Sequence, residues 1–355
     1  MMWNQNILTE KIGIRYPIIQ AGMAGGITTP ELVAAVSNAG GLGTLGAGYL
    51  KPEQTRESIQ KIKQLTDNPF AVNLFTPETP EVNDTEVAQA NEWLLPFREG
   101  LQISEAPEVK EIQTATFEQQ IQIIIEERVP VCSFTFGIPS KAVLQQLKEN
   151  HIIVMGTATT VTEAKANEES GLDMVVMQGS EAGGHRGTFL NSFEDAMIGT
   201  MALIPQAADQ VNIPLIAAGG ISDGRGVLAS FVLGAQGAQM GTAFLSCFES
   251  GANTQHKQAV LNIEEDQLTI TSAFSGKPAR GIRNDFIKKM KKHEKHLPPY
   301  PIQNTLTKQI RSEAGKQNRT EWMSLWCGQN PRSCKSQSAD ELITSIVSQI
   351  ENMQK

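Results

Sequence analysis

Eight short apolar runs, alternating with segments of helical spacing, fill the first 250 residues. The runs fall at 17–21, 42–45, 70–74, 131–134, 152–155, 174–177, 214–218 and 237–240. The spacing predicts helices between them, near 29–39, 52–65, 87–97, 117–127, 141–149, 161–170, 197–208 and 224–233. The first helix has a full start signal in Thr29-Pro30-Glu31: a capping hydroxyl, a proline for the first turn and an early carboxylate. It places Leu32, Val33 and Val36 on one face and stops at Gly40-Gly41. Strands that are apolar throughout and alternate with helices belong to a parallel sheet covered on its outer face. Eight such units indicate an α/β fold, a (β/α)8 barrel of the TIM type, rather than an open sheet. No solenoid repeat is visible.

Two stretches break the rhythm. Residues 78–114 exceed a barrel loop and hold one helix near 87–97, then a proline-marked irregular stretch. Beyond Gly251 there is a short strand within 268–274 and there are helices at 284–292 and 305–314. The bend Leu297-Pro298-Pro299-Tyr300-Pro301 separates those two helices. The expected organisation is a barrel over 1–250, a smaller and mainly helical cap over 251–321, and a C-terminal segment, 322–355, that packs back on the barrel.

Composition narrows the partners. With 355 residues, 40% hydrophobic and 19% charged, the chain reads as an ordinary soluble protein. A net charge of −8 argues against nucleic acid or an anionic membrane. The one basic run, Lys288-Lys289-Met290-Lys291-Lys292-His293, reads as a solvated helix end. Cys132, Cys247, Cys327 and Cys334 are widely spaced, which fits reduced thiols in the cytoplasm and neither a disulfide framework nor a metal site. The N-terminus lacks the pattern of a secretion signal. The uncharged run 226–248 is cut by Gly234-Ala235-Gln236-Gly237-Ala238-Gln239 into a helix and a strand, so no transmembrane span is expected.

The sixth apolar run leads into Gln178-Gly179-Ser180-Glu181-Ala182-Gly183-Gly184-His185-Arg186-Gly187, which reads as a loop. Four glycines let backbone approach a ligand closely, and an amide, a hydroxyl, a carboxylate, an imidazole and a guanidinium stand among them. Barrel enzymes build their sites at the C-terminal strand ends, with phosphate after strands seven and eight. Those places are Ala217-Ala218-Gly219-Gly220-Ile221-Ser222-Asp223-Gly224 and Gln239-Met240-Gly241-Thr242-Ala243-Phe244. Backbone N–H groups of Gly220, Gly241 and Thr242, aided by a helix dipole and the Thr242 hydroxyl, suit a phosphate. Gln20, Asn73 and Gln178 lie at strand ends and offer amides to the mixed edge of a flavin ring, and Gly22-Met23 offers backbone beneath it. Gly41-Leu42-Gly43-Thr44-Leu45-Gly46 matches GxGxxG but follows a helix, so it reads as the second strand and not as a dinucleotide fingerprint.

These residues resemble the flavin-dependent nitronate monooxygenases, formerly 2-nitropropane dioxygenases, and most closely their bacterial class. The resemblance runs through Tyr16–Met23, Asn73-Leu74-Phe75, Phe134-Thr135-Phe136-Gly137, the decapeptide, 217–226, 239–245 and Trp326-Cys327-Gly328-Gln329. It implies FMN held by Asn73, Gln178, Gly183, Gly220, Gln239, Met240, Gly241 and Thr242, with His185 as the catalytic residue facing the flavin. It implies a substrate pocket lined by a Tyr-x3-Tyr-x3-Lys set, present here as Tyr300, Asn304 and Lys308 with the middle tyrosine missing. The implied reaction oxidises an alkyl nitronate, of the propionate 3-nitronate type, with O₂ to a carbonyl compound and nitrite through a flavin semiquinone. In it His185 is either a protonated anion binder or a base. Lys308 would add a positive charge for a carboxylated substrate. The partners are then a small-molecule nitronate and O₂, for a monomer or a homodimer. Two alternatives remain: an enoyl-thioester reductase consuming NAD(P)H, and a non-catalytic flavin-binding barrel. An inosinate-dehydrogenase reading is weaker, since the loop after the sixth strand has no nucleophilic cysteine. Glu181 and Arg186 have no role in this reading.

Overall fold

The computed structural model describes residues 3–109 and 115–355. Met1 and Met2 of the N-terminal reading, and the end of the irregular stretch expected before 114, lie outside the described residues. The strands are β1 (Ile18–Gln20), β2 (Gly43–Gly46), β3 (Phe70–Phe75), β4 (Val131–Thr135), β5 (Ile153–Ala158) and β6 (Met174–Gln178). They continue as β7 (Gly184–His185), β8 (Leu215–Ala218), β9 (Gly237–Met240), β10 (Leu268–Thr271) and β11 (Ala279–Ile282).

Eight of these form one parallel sheet in the order β1-β9-β8-β6-β5-β4-β3-β2. The two ends meet through a single bridge, Ile19 to Leu42, which closes the expected barrel. Gln20 reinforces that narrow seam. Its Oε1 accepts from the Thr44 N–H at 3.0 Å and its Nε2 donates to the Thr44 carbonyl at 3.2 Å. Gln20 is 0% exposed, so its amide is not one of those facing the mouth, as the sequence suggested. An amide satisfies both polar groups of a strand residue that has no full ladder partner there.

The strands are apolar on both faces because each face meets a different core. Along β6, Met174 and Val176 belong to the inner cluster with Ile19, Val131 and Ile216, while Val175 and Met177 face the outer helices. This is the period of two expected of a strand buried on both sides. The helix Ile7–Ile12, absent from the sequence reading, brings Leu8 and Ile12 into the inner cluster and so closes the lower end of the barrel. Its start is marked in the sequence by a capping box on Asn6 and Thr9. Thr29 caps the next helix as expected, accepting from Leu32 N–H at 3.0 Å.

The cap is not confined to 251–321. The helix Asp84–Gly100, inserted after β3, packs Phe97 against Phe286 and Trp322, and Arg98 donates to the Leu306 carbonyl. Its apolar residues Ala90, Leu94 and Phe97 are buried in a second hydrophobic core with Phe286, Leu306 and Trp322. The cap also contains an antiparallel sheet, β10-β11-β7, in which His185 pairs with Ala279 and Gly184 with Arg280. Part of the glycine loop is therefore a strand of the cap. The C-terminal helix Ala339–Met353 inserts Leu342, Ile343, Ile346 and Ile350 among Leu32, Val36 and Val227 of the barrel. The uncharged run divides into the helix Gly224–Val232, β9 and the short helix Thr242–Leu245. No described helix is long and apolar enough to cross a membrane.

Replacing Gln20 by Leu leaves the Thr44 N–H and carbonyl without partners. The expected cost is about 1–3 kcal/mol, read as a lower urea midpoint at unchanged slope.

Candidate active site

The loop after β6 is set by a buried guanidinium. Arg186 is 1% exposed and donates to the carbonyls of Gly179 at 2.6 Å, Gln178 at 3.0 Å and Ala196 at 3.1 Å. Burial, followed by the nearby Arg280 charge, lowers its pKa to about 10, which still leaves it charged at neutral pH. Arg280 holds the same loop from the cap, donating from Nε and Nη2 to the Ser180 carbonyl. Glu181 accepts from the Thr200 N–H and hydroxyl and so caps the helix Thr200–Ala208. Gly183 fits where a Cβ would sit 2.5 Å from Gly328 N, so the C-terminal segment lies directly on the loop. Gln178 is engaged within the loop: Oε1 accepts from Gly187 N–H at 2.8 Å and Nε2 donates to the His185 carbonyl at 3.0 Å.

Around the mouth, several polar groups lack protein partners. The N–H groups of Gly220, Gly241 and Thr242 donate to no acceptor among the described residues. The helices Thr200–Ala208 and Gly224–Val232 already have carboxylates, Glu181 and Asp223, at their starts. The helix Thr242–Leu245 has none. The Thr242 hydroxyl accepts from Gly328 N–H at 3.0 Å, which leaves its proton to donate. A Cβ on Gly241 would meet nothing closer than Met23 Sδ at 3.7 Å, so space lies before it. Across the barrel, Asn73 donates to Ser133 Oγ and Thr135 Oγ1, while its buried Oδ1 accepts from nothing. Gly22 is required beside it, because a Cβ there would lie 2.6 Å from Asn73 Cβ. Gln239 is half-buried with no side-chain hydrogen bond among the described residues, whereas the Met240 side chain is packed in the outer core. Donors for an anion on one side and an orphan acceptor on the other fit a flavin mononucleotide better than an empty apolar cavity would.

His185 stands over this mouth. Its ring is half-buried between Phe136, Tyr300 and Trp326, with ring centroids 5.9, 6.1 and 5.4 Å away. Burial, then the charges of Arg311 and Lys277, lower its pKa from 6.5 to about 3. These surroundings favour the neutral imidazole in the unliganded chain. Nε2 lies 2.8 Å from Ser275 Oγ, which donates to the Lys277 carbonyl at 3.0 Å. With that proton committed, the Ser275 oxygen accepts from Nε2–H, and the network assigns the free lone pair to Nδ1. Phe136 holds a left-handed backbone, φ 72°, next to Gly137. Such strain costs about 1–3 kcal/mol in a non-glycine residue and marks functional sites.

Of the expected substrate residues, Tyr300 is in the pocket, 8% exposed, and its hydroxyl shares a hydrogen bond with Tyr49. Lys308 is not brought there; its side chain is exposed on the helix Ile302–Lys316. The cations that do reach the pocket are Lys277, paired with Glu78 at 2.5 Å, and Arg311.

A family model described as nitronate monooxygenase matches residues 5–349. The chain belongs to the nitronate monooxygenase family. It is 53% identical to a probable nitronate monooxygenase of Staphylococcus haemolyticus, with 99% of each chain covered. A nitroalkane oxidase structure from Streptomyces ansochromogenes superposes with a TM-score of 0.91 at 36% identity, covering 98% of this chain and 99% of that one. FabK from Thermotoga maritima superposes at 0.78 with 29% identity, covering 99% and 97%. Membership makes the chain a flavin-dependent oxidoreductase with a general role in nitronate oxidation.

Sequence reasoning missed Ser275, Arg311, Tyr49 and Lys277. Ser275-Gly276-Lys277-Pro278 reads as any turn, and nothing in the spacing marks Arg311. Only Phe136 and Trp326 lay inside segments already singled out.

The lowered pKa of His185 has a sign in stability. The unfolded chain takes a proton near pH 6.5 and the folded one only near 3, so this contribution is fully present above 6.5 and is lost as pH falls toward 3. Denaturation of the wild type and of His185→Asn across pH 4–7 checks this. The wild type should lose more stability than the variant as pH drops from 6.5 to 4, and equal slopes would show an ordinary imidazole.

Proposed function

We propose that the enzyme oxidises alkyl nitronates of the propionate 3-nitronate type with O₂, using FMN, and releases a carbonyl compound and nitrite. One observation carries the reading: a neutral imidazole with a free Nδ1 stands over a mouth whose unpaired N–H groups and Asn73 oxygen suit a flavin mononucleotide. Gly220, Gly241 and Thr242 would hold the phosphate, and Asn73, with backbone of Gly22, Met23 and Gly183, the ring. When bound, FMN supplies an electron acceptor that can pass electrons on to O₂.

The remaining work is done by the chain. A nitronate arrives without its α-proton and needs only to be oriented. A neutral nitroalkane must lose that proton first, and His185 Nδ1 is the base for it. Ser275 acts by fixing the tautomer. Phe136, Tyr300 and Trp326 shield part of the ring from water and so disfavour its charged form. Gln178 and Arg186 set the height of His185 through the loop backbone.

Purified enzyme supplied with propionate 3-nitronate in air should release nitrite, and anaerobic NADPH should leave the flavin absorbance unchanged. Rapid bleaching by NADPH would favour the enoyl-thioester reductase, and a yellow protein inert toward both would favour a binding barrel. His185→Asn should lower turnover of neutral nitroalkanes about 10²–10⁴-fold relative to nitronates. A parallel loss on both substrates would remove the base role. Ser275→Ala frees the ring to change tautomer. It should lower kcat for nitroalkanes about 10-fold with KM little moved, in the way second-partner changes act on a histidine.

A further inference from the structure

Arg311 is a guanidinium without an acidic partner among the described residues, whereas the other pocket cation, Lys277, is neutralised by Glu78. Three of its five N–H donors are engaged. Nε donates to Thr307 Oγ1 at 3.2 Å, and Nη2 donates to the Asn304 carbonyl at 2.9 Å and to Asn304 Oδ1 at 2.7 Å. Nη1 makes no hydrogen bond among the described residues. Thr307 donates in turn to the Phe274 carbonyl, one residue before the Ser275 that holds His185. The charge of Arg311 is felt by His185, Tyr49 and Tyr300, all groups of the same pocket. With His185 neutral and Lys277 paired, Arg311 supplies the pocket's net positive charge. Arg311 is half-buried, and a partly desolvated guanidinium without a counter-charge is favoured where an anion docks.

We infer that Arg311 reads a carboxylate carried by the nitronate substrate, and that Asn304 and Thr307 are the positioning residues that aim it. The inference rests on the proposed nitronate oxidation and names the substrate class of that same pocket. The two free N–H donors on Nη1 suit an oxygen of a carboxylate, and Arg311 enters from the helix Ile302–Lys316 while His185 enters from β7. The reacting carbon can therefore lie at His185 while the tail lies at Arg311. The position where the sequence motif lacks its tyrosine has a use in this arrangement. Asn304 Oδ1 is short enough to accept from Arg311, and the cation is Arg311 instead of the exposed Lys308.

The test compares propionate 3-nitronate with propyl 1-nitronate in wild type, Arg311→Met and Arg311→Lys. The ratio of their kcat/KM values should fall about 10-fold or more in Arg311→Met, the loss of a charge-assisted hydrogen bond, and part-way in Arg311→Lys. Lys308→Met should leave the ratio unmoved. A ratio unchanged in Arg311→Met, or one that falls only in Lys308→Met, overturns the inference. Calorimetric binding of 3-nitropropionate against 1-nitropropane gives the same comparison without turnover. If the enzyme oxidises no nitronate yet Arg311→Met still abolishes the preference for 3-nitropropionate, the carboxylate site stands and the proposed reaction fails. If turnover is normal and neither ligand is discriminated, the reverse holds. Thermal melting of both variants, with Arg311→Lys keeping the charge, separates misfolding from lost recognition.

Discussion

The site depends on a single buried cation that never meets the substrate. Arg186 gathers three carbonyls from Gln178, Gly179 and Ala196, groups that neither the β6 ladder nor a helix can serve. A glycine-rich loop left to itself would sample many backbone states. Here the guanidinium replaces the missing secondary structure, and Arg280 repeats the device from the cap on Ser180. Because the carbonyls are neutral, Arg186 remains charged with no carboxylate in direct contact. Glu163 and Glu181 are near enough to favour that charge. The side chains that face the mouth, His185 above all, take their positions from this hidden scaffold.

Electrostatics divide the pocket in two. The aromatic wall of Phe136, Tyr300 and Trp326 shields part of His185 from water and disfavours its charged form. Arg311, whose charge acts on the same imidazole, has no acidic partner among the described residues. A base and a cation placed together would ordinarily each disturb the other, and Arg311 does press the His185 pKa down. The same charge that can receive an anionic tail disfavours the imidazolium, which keeps the ring unprotonated and at the same time lowers its basicity.

Much of the barrel was legible because strand and helix periods are written locally. The runs at 131–134, 174–177 and 237–240 lie within β4, β6 and β9, and the helix Lys141–Glu149 has the predicted bounds. The glycine turns after β8 and β9 and the histidine loop were visible as motifs. What escaped depends on contacts distant in sequence. Gln20 looked like a ligand amide because nothing local reveals that Thr44 lies beside it. Ser275 and Arg311 lie in a turn and on a helix of unremarkable composition. Their meaning comes from His185, 90 residues before Ser275 in the chain. Lys308 matched a spacing, but the helix Ile302–Lys316 leaves that position exposed, and the charge from this helix that acts on His185 is that of Arg311. The cap's extra helix, Asp84–Gly100, was found as a helix but not as cap, since its partners lie some two hundred residues downstream.

The pairing of β7 with β11 bears on how such enzymes can be recombined. His185 is at once the pocket's imidazole and an edge residue of the cap's sheet, with Arg186 N–H donating to the Pro278 carbonyl just beyond it. A graft that exchanged 251–321 between relatives would cut through this sheet and leave β11 facing a strand chosen for another partner. The same cut would strand Phe97 and Leu94 without the core that covers them. The smallest unit that can be transplanted with its substrate preference is discontinuous: the inserted helix, the residues around His185 and the cap proper move together or not at all.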